Sequence, residues 1–298
     1  MDVRLLIVPY HLGGPEGASA HGPDRLLAAG LEARLASAGA RLRIERVDRA
    51  GRFRNEAASS LEVAGAVRGA VERALDRGEF PLVLAGDCST AVGTAAGLAA
   101  RERLAVVWLD AHGDFNTPET TASGNFDGMS LAVCVGRCWT HVAATLAGLR
   151  PLPEDRVLLV GVRALDPLED ALLASSEVAV LTARRLTADG GAGTLDRRLR
   201  ELATRATAAY LHVDLDVVDA AEAPANEWAV AGGPSAAEVE RVIGRVAAHL
   251  PVRAAALTAY DPGVDPEGRA AEAGLGLIAA LVRAAAAAST RAAPRVGR

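Results

Sequence analysis

The chain has 298 residues, of which 50% are hydrophobic and 3% aromatic, and its formal net charge is −5 at pH 7. This length and apolar content are typical of one large domain with a sizeable core. The negative charge argues against electrostatic binding to nucleic acid, and the few aromatic residues argue against base stacking. All 32 basic residues are arginine, which excludes lysine Schiff-base chemistry and a P-loop lysine.

Membrane and secretory features are not expected. No apolar run reaches the roughly 20 residues that a membrane helix needs, and residues 5–10 are a short first strand without a cleavage-type region. A cytoplasmic location is therefore predicted. Three cysteines do not make a disulfide framework in a chain of this length. Cys134 and Cys138, four apart in a predicted helix, are interpreted as small buried hydrophobic residues.

Strand-like apolar runs alternate with helix-like segments along the chain. The predicted strands cover residues 3–9, 41–47, 81–85, 104–110, 156–161, 178–182, 208–214 and 252–259. The predicted helices cover residues 23–38, 55–77, 89–101, 194–207 and 235–249. This alternation predicts an α/β fold with a doubly wound parallel sheet of about eight strands. Residues 1–298 are predicted to form a single domain, with a poorly ordered tail at residues 289–298.

Metal-ligand chemistry follows the fourth predicted strand. Asp110, His112 and Asp114 occupy alternating positions there. Because an extended backbone points alternate residues to the same side, the three side chains converge. Asp214 and Asp216 end the seventh predicted strand in the same way. Ligands of parallel sheets bind beyond the carboxyl ends of the strands, where all of these residues lie.

Cys88 follows the third predicted strand and completes a set of six metal-ligand candidates. The four carboxylates of this set would repel one another unless cations lay between them. Oxygen-rich sites with one imidazole suit Mn²⁺, and six ligands indicate two divalent ions. A single aspartate after a strand is often only a helix N-cap. If the acids were only helix N-caps, three separate strand ends would carry ligand-type residues by coincidence. Metal binding is therefore favoured.

The chain resembles the ureohydrolases, the family of arginase, agmatinase and formiminoglutamase, in four segments. These are HGPDRLLAAGL (residues 21–31), AGDCS (85–89), DAHGDFNTPETTASGN (110–125) and VDLDVVD (213–219). The resemblance implies a three-layer αβα sandwich, two Mn²⁺ ions bridged by a hydroxide, and a homo-oligomer. It also implies an enzyme that uses this hydroxide to cleave a C–N bond other than a peptide bond in a small, amino-acid-like substrate.

The resemblance implies a role for each metal-ligand candidate. Asp110 and Asp214 would bridge the two ions. Each of the remaining four would bind a single ion. Cys88 and Asp114 would bind the first ion, and His112 and Asp216 would bind the second. Asp87 would support the site from behind the ligands. Asp114 is also a predicted catalytic residue, together with Asp127, which stands at the position of the family's proton-shuttling histidine.

Cys88 departs from the family pattern, because most members have histidine at this position. A thiolate is softer than imidazole and leaves the dinuclear site with one excess negative charge. It should therefore raise the pKa of a metal-bound water and shift the site's preference toward softer metals. A subgroup that hydrolyses hydroxyarginine resembles this chain in having cysteine here.

Five polar residues match the family's binding site for an amino-acid head group. Asn116, Ser123 and Asn125, with Thr121 nearby, match the positions that bind the α-carboxylate, directly or through water. Asp166 matches the acid that receives the α-amino group. Any one of these residues could merely form a turn. The five together favour an amino-acid-derived substrate.

The far end of the pocket departs from the family. Ala259 stands in place of the glutamate that pairs with guanidinium, and Trp228 in place of a small hydroxyl residue. Breaking a buried ion pair costs about 3–5 kcal/mol, so arginine is expected to be a poor substrate. Glu227 or Asp127 could supply the missing carboxylate, and Tyr260 could donate a hydrogen bond. Loop packing is an equal alternative for Trp228, and core packing is the favoured interpretation of Tyr260. An amidine, N-hydroxyguanidine or formimino compound fits better.

Two other functions remain open from the sequence. One is a deacetylase-like amide hydrolase with a single metal ion, which would leave the paired Asp-x-His-x-Asp and Asp-x-Asp motifs unexplained. The other is a metal-binding but inactive homologue that acts as a regulatory or interaction subunit. Ala259 and Asp127 favour inactivity, whereas six intact ligand candidates argue against it.

Overall fold

The structure is a computed structural model that describes residues 1–49 and 51–292, with side chains described as far as residue 287. Its sheet contains eight strands: β1 (Asp2–Val8), β2 (Arg41–Arg46), β3 (Phe80–Ala85), β4 (Leu104–Leu109), β5 (Val157–Val160), β6 (Ala179–Leu181), β7 (Ala208–Asp214) and β8 (Val252–Thr258). Every pairing between neighbours is parallel. The predicted parallel sheet is confirmed, and every predicted strand end lies within one residue of the observed end.

Eleven α-helices connect the strands in the described part of the chain. They are α1 (Gly22–Ala28), α2 (Leu31–Ser37), α3 (Glu56–Asp76), α4 (Thr90–Ala99), α5 (Ser130–Val135), α6 (Thr140–Leu146), α7 (Pro167–Ala174), α8 (Ala183–Thr187), α9 (Gly191–Arg205), α10 (Ala236–His249) and α11 (Arg269–Ala292). The sheet lies between two layers of them. Alternate residues of β1 illustrate this, since Leu5 and Ile7 pack in one core whereas Leu6 and Val8 pack in the other. The three-layer αβα sandwich is therefore confirmed.

Several helix predictions need correction. The predicted helix 23–38 is two helices, because Gly30 adopts a left-handed conformation (φ 95°) between them. The sequence pattern predicts a helix around Cys134 without giving its bounds, and this helix is α5. The pattern does not predict α6, α7 and α8, which are too short to show a period, or α11, which is apolar on most sides. Cys134 is buried on α5 as expected, but Cys138 lies beyond the end of that helix and is half-buried.

Helix α11 bears on two further expectations. Over Arg269–Ala287 it is long and apolar enough to cross a membrane by length and composition, so the expectation that no segment reaches this length is wrong. However, 67% of that stretch is buried inside the protein, and one such helix is weak evidence because core helices pass the same test. The helix also continues to Ala292, into the predicted tail, while residues 293–298 lie outside the described residues.

The strand order determines where the functional residues meet. Across the sheet the order is β2-β1-β3-β8-β7-β4-β5-β6. Strands β8 and β7 therefore lie between β3 and β4, although β3 and β4 are consecutive in the chain. Because all strands are parallel, the segments that follow β3, β8, β7 and β4 emerge along the same edge. The predicted metal ligands all belong to three of these segments.

Candidate metal centre and substrate cavity

The loop after β4 brings His112 to two carboxylates. His112 Nδ1 lies 3.5 Å from Asp110 Oδ1 and 3.2 Å from Asp216 Oδ2. Burial alone would lower the pKa of His112, but these hydrogen bonds to Asp110 and Asp216 raise it to about 12. Without a cation, the imidazole thus neutralises its acidic neighbours by holding a proton. That proton must leave before Nδ1 can bind a metal ion.

Asp214 and Asp216 are positioned by the short 3₁₀ helix Leu215–Val217 at the end of β7. The backbone amide of Asp216 donates to Asp214 Oδ1 at 2.9 Å, and Ala111 donates its amide to Asp216 Oδ1 at 3.2 Å. Burial raises the pKa of Asp216, but the hydrogen bonds from His112 and its other donors outweigh this and lower it to about 2. Asp216 is therefore the carboxylate of the cluster that stays ionised most readily.

Cys88 points into the carboxylate cluster. Its Sγ lies 3.1 Å from Asp214 Oδ2 and 3.1 Å from Thr258 Oγ1, and only 1% of the residue is exposed. Its backbone amide donates to Asp127 Oδ1 at 2.7 Å. Burial, with the negative charge of Asp214, raises the pKa of the Cys88 thiol. A nearby cation would reverse this effect, because metal coordination deprotonates a thiol.

The candidate ligand atoms form three overlapping groups in the described residues, and within each group they lie within 4.8 Å of one another. The groups are Cys88–Asp110–Asp214, Cys88–Asp114–Asp127 and Asp110–His112–Asp216. All six predicted ligands belong to at least one group, and Asp127 joins them. Asp110 belongs to two groups, as expected of a bridging ligand, whereas Asp214 belongs to one.

The chemistry of this cluster fits divalent cations. Asp114 Oδ2 is buried and has no hydrogen-bond partner among the described residues. Burial, strengthened by repulsion from Asp110, raises the pKa of Asp114 well above its usual range. Burial and repulsion from Asp216 do the same for Asp214. Buried acids without partners are costly, and cations between the carboxylates would remove both the repulsion and the missing contact.

The residues behind the ligands form a second polar layer. Asp87 Oδ2 accepts from the Leu12 amide at 2.6 Å, and Asp87 Oδ1 accepts from the Ser89 amide at 3.0 Å. Asp87 thus joins the loop after β1 to the loop after β3, consistent with the predicted supporting role. On the other side, Trp108 Nε1 donates to Asp110 Oδ2 at 3.0 Å, and the Trp108 ring stacks on His212. Burial lowers the pKa of His212 to about 3, so this imidazole is neutral.

A cavity of about 750 Å³ opens onto the metal cluster. It is lined by the ligand candidates His112, Asp114, Asp214 and Asp216, and by Asp127. Six of the seven predicted substrate-binding residues also line it: Asn116, Ser123, Asn125, Asp166, Glu227 and Trp228. The exception is Thr121, whose Oγ1 instead accepts the Gly124 amide at 3.0 Å. Thr121 therefore supports the loop conformation rather than the cavity wall.

The predicted head-group residues form one wall of the cavity. Asn116 Nδ2 donates to Asp166 Oδ2 at 3.1 Å, and Thr120 Oγ1 donates to Asn116 Oδ1 at 2.9 Å. Ser123 Oγ accepts from the Asn125 amide at 3.2 Å. The Asp166 carboxylate thus lies beside amide and hydroxyl groups, an arrangement that can bind an ammonium and a carboxylate side by side.

The opposite wall is built around Asn226, which the sequence analysis does not single out. Its Nδ2 donates to Ala259 O at 3.0 Å and lies 3.3 Å from Asp216 Oδ2, and its Oδ1 accepts the Trp228 amide at 2.9 Å. Ala259 is held in a left-handed conformation (φ 62°), which is uncommon for a non-glycine residue. Trp228 is 54% exposed, so it lies at the rim rather than the floor of the cavity.

Tyr260 is a buried core residue, which is the interpretation that the sequence favours, and it does not donate to a substrate in the cavity. Its hydroxyl donates to the buried Asp265 at 3.1 Å, and the residue does not line the cavity. The structure adds His11, Glu169 and Asp261 to the cavity wall. Burial raises the pKa of Glu169 to about 6, although its carboxylate accepts from two backbone amides. His11 and Asp261 each follow a strand end, which is the signal that could have identified them.

Comparison with known proteins assigns the family. The arginase family profile matches residues 1–283. The chain belongs to the arginase family. An arginase from Bacillus caldovelox is 32% identical to it over 296 residues, which cover 94% of this chain and 97% of that arginase. The crystal structure of arginase from Bacillus subtilis has a TM-score of 0.86 at 28% identity, with 95% of this chain and 98% of that chain covered.

One further structural relative shows the fold alone. The structure of proclavaminate amidino hydrolase from Streptomyces clavuligerus has a TM-score of 0.72 at 21% identity and covers 96% of this chain and 92% of that chain. The resemblance to the ureohydrolases is confirmed by these comparisons. Arginase family proteins are hydrolases of small molecules with a dinuclear metal centre, and they are generally oligomeric. The ligand cluster of this arginase-family chain agrees with a metal centre.

The buried Asp114 leads to a prediction about stability and pH. Its raised pKa in the folded state means that its favourable contribution is complete below the unfolded pKa of 3.8 and is lost as pH rises toward the folded pKa. In chelator-treated protein, Asp114→Asn should therefore become increasingly more stable than the wild type as pH rises from about 4 toward 7. Added Mn²⁺ should reverse the order at pH 7, because Asn cannot replace the carboxylate ligand.

The measurement is the urea midpoint of both proteins over this pH range, with and without metal. Asp189→Asn, at an exposed position outside the cluster, serves as the matched control. A difference between Asp114→Asn and the wild type that stays constant with pH would contradict the prediction.

Proposed function

We propose that this chain is a dinuclear metal-dependent hydrolase of an amino-acid-derived amidine, N-hydroxyguanidine or formimino compound. It would cleave a C–N bond that is not a peptide bond. The observation that carries this proposal is that one cavity contains both the carboxylates of the metal cluster and the head-group wall. A substrate held by that wall would extend its other end toward the cluster. Fixing the reacting carbon in this way can supply much of the rate enhancement.

The head-group wall supports recognition of an amino acid. The α-carboxylate of a substrate would accept hydrogen bonds from Asn116, Ser123 and Asn125, and the α-ammonium would donate to Asp166. Asp166 already lies 3.1 Å from the Asn116 amide, so the two binding groups are held in fixed relation. A substrate that lacks the carboxylate would leave these donors without their charged partner.

The metal cluster supports hydrolysis. When bound, two divalent cations lower the pKa of a water molecule and so supply a nucleophile near neutral pH. The carboxylates of Asp110, Asp114, Asp214 and Asp216, with His112 and Cys88, would hold the ions, and the excess of oxygen ligands favours Mn²⁺. Departure of the nitrogen requires a proton. Asp127 lines the cavity beside Cys88 and Asp114, and we assign it the transfer of this proton.

The wall opposite the head group supports a substrate other than arginine, although two of the three relatives compared above are arginases. At the position of the family's guanidinium-binding glutamate, Ala259 offers no charge. Asp261 lines the same cavity, but its Oδ1 accepts the Gly263 amide at 2.7 Å. Glu227 is exposed, so water screens any pairing that it makes with a substrate. A hydroxyguanidine or formimino group carries less positive charge than the guanidinium of arginine, so it depends less on a carboxylate that pairs with it.

The proposal predicts two divalent ions per chain, with Mn²⁺ restoring most activity to stripped protein. Asp110→Ala and Asp214→Ala should each lose both ions, because each is proposed to bridge. Elemental analysis after saturation measures this, with Asp189→Ala as the control. A maximum of one ion per chain in the wild type would contradict the dinuclear centre and favour the mononuclear amide hydrolase.

The proposal also predicts the effect of Cys88→His. Replacing a thiolate by a neutral imidazole removes one negative charge from the centre, so the pKa of a metal-bound water should fall. The variant should bind as much metal as the wild type. Its activity should increase with pH over a range that lies at lower pH than the corresponding range of the wild type. The measurement is kcat/KM against pH, alongside metal analysis. An unchanged pH profile with unchanged metal content would show that Cys88 is only a packed residue.

The substrate prediction is that L-arginine and agmatine are hydrolysed poorly. Agmatine lacks the α-carboxylate, and the guanidinium of arginine would meet Ala259 instead of a carboxylate. Nω-hydroxyarginine and a formimino amino acid should be better substrates in the same assay. An arginine kcat/KM of about 10⁴ M⁻¹s⁻¹ or more, which is ordinary for enzymes, would refute this argument.

The converse variant is Ala259→Glu, which should increase arginine hydrolysis because it supplies the missing carboxylate. The matched control is Ala259→Gln, which has a similar size and no charge. If neither variant changes arginine turnover, Ala259 does not correspond to the family's glutamate position.

A further inference from the structure

A chain of three buried side chains leads away from Cys88 on the side opposite the cavity. Cys88 Sγ lies 3.1 Å from Thr258 Oγ1, which lies 3.4 Å from His212 Nε2. His212 Nδ1 lies 2.9 Å from the hydroxyl of Tyr210. Thr258, His212 and Tyr210 are each 0% exposed, and none of them lines the substrate cavity. These side chains therefore do not line the substrate cavity, and any effect on the reaction must pass through Cys88 or through Trp108, which stacks on His212 and donates to Asp110.

The direction of the hydrogen bonds follows from the sulfur. As a metal ligand Cys88 is a thiolate, which accepts hydrogen bonds and cannot donate them. Thr258 must then donate its single hydroxyl proton to Sγ and accept from His212 Nε2–H. In a neutral imidazole this leaves Nδ1 without a proton, so Nδ1 accepts from Tyr210. With the hydrogen bonds in this direction, from Tyr210 through His212 and Thr258 to Cys88, each donor and acceptor has a partner.

One competing contact is a hydrogen bond between the side chains of Tyr210 and Thr94. The contacts that compete at Thr258 and Cys88 are longer or of a different kind. Thr258 Oγ1 also lies 3.4 Å from Val213 O, which is long for an O–H···O bond, whereas 3.1 Å is short for a contact to sulfur. Asp214 Oδ2 lies 3.1 Å from the sulfur, but a carboxylate cannot donate to a thiolate, and Asp214 is itself a ligand candidate. Stacking on Trp108 fixes the plane of the His212 ring, with ring centroids 3.7 Å apart.

We propose that Tyr210, His212 and Thr258 are positioning residues that direct one hydrogen bond onto the Cys88 sulfur and thereby set its strength as a metal ligand. The proposal rests on the metal centre of the proposed function. Partners behind the metal ligands orient them and tune the metal, and losing one typically costs about 10–100-fold in metal affinity. In this chain the residues behind the ligands would determine how far the centre favours sulfur-binding metals over Mn²⁺.

The test uses Co²⁺, because cobalt bound to a thiolate gives a near-ultraviolet charge-transfer absorption that a packed cysteine does not give. The full chain, stripped and reloaded with Co²⁺, should show this band, and Cys88→Ser should abolish it. Thr258→Val should shift the band to lower energy, since a sulfur without its hydrogen bond donates electrons more readily. It should also weaken Co²⁺ binding by about 10–100-fold, because the sulfur loses the contact that orients it toward the metal. Tyr210→Phe should shift the band in the same direction.

Thr258→Ser keeps the hydroxyl and should restore both the band and the affinity. Ser60→Ala, which removes a buried hydroxyl without a hydrogen-bond partner among the described residues, is the matched control and should change neither. Identical bands and affinities in the wild type, Thr258→Val and Tyr210→Phe would overturn the proposal. So would a wild type that binds two Co²⁺ ions without the band, although the proposed hydrolase would stand if that protein turned over an amidine. A band that shifts as expected in a protein that binds Co²⁺ but hydrolyses none of the substrates would support this inference and contradict the proposed function.

Discussion

Repulsion among buried acids is the constraint on which the rest of this structure depends. Asp110, Asp114 and Asp214 are buried at one edge of the sheet, where their ligand atoms approach a cysteine and one another. Protons or cations must compensate their charge, and the two hydrophobic cores on either side of the sheet prevent the cluster from separating. The fold thus holds together groups that would otherwise move apart, and this arrangement suits divalent cations.

The sheet could be predicted from the sequence because its strands are buried on both faces and read as continuous apolar runs. The ligands could be predicted because they follow such runs directly. Contacts between segments that are distant in the sequence could not be predicted. Thr258 of β8 and Cys88 after β3 meet only because these strands are neighbours, and neither residue carries a local pattern that indicates the contact. Tyr260 is the opposite case, a polar residue whose position in the sequence suggests a place in the site. Its hydroxyl contacts Asp265 and does not reach the cavity.

The side chain of Asn226 connects the metal cluster to the substrate cavity. It contacts the ligand candidate Asp216, the backbone of Ala259 and the backbone of Trp228. The left-handed conformation of Ala259 costs energy that surrounding contacts must offset, and the Asn226 amide is one of them. Position 259 and the rim at Trp228 are therefore not free to change independently of the metal cluster. A substitution that alters the pocket can also disturb Asp216 through Asn226.

The opposite side of the cluster is arranged differently. Cys88 is contacted from behind by Thr258, and the polar residues beyond Thr258 are buried and do not reach the cavity. Head-group residues such as Asn116 and Asp166 lie in front, on loops that follow β4 and β5. Among the described side chains, no hydrogen bond joins this head-group wall to Thr258 or His212. In the proposed hydrolase, separate sets of contacts would thus control substrate recognition on that wall and the ligand strength of the sulfur, so either could be altered while the other is retained.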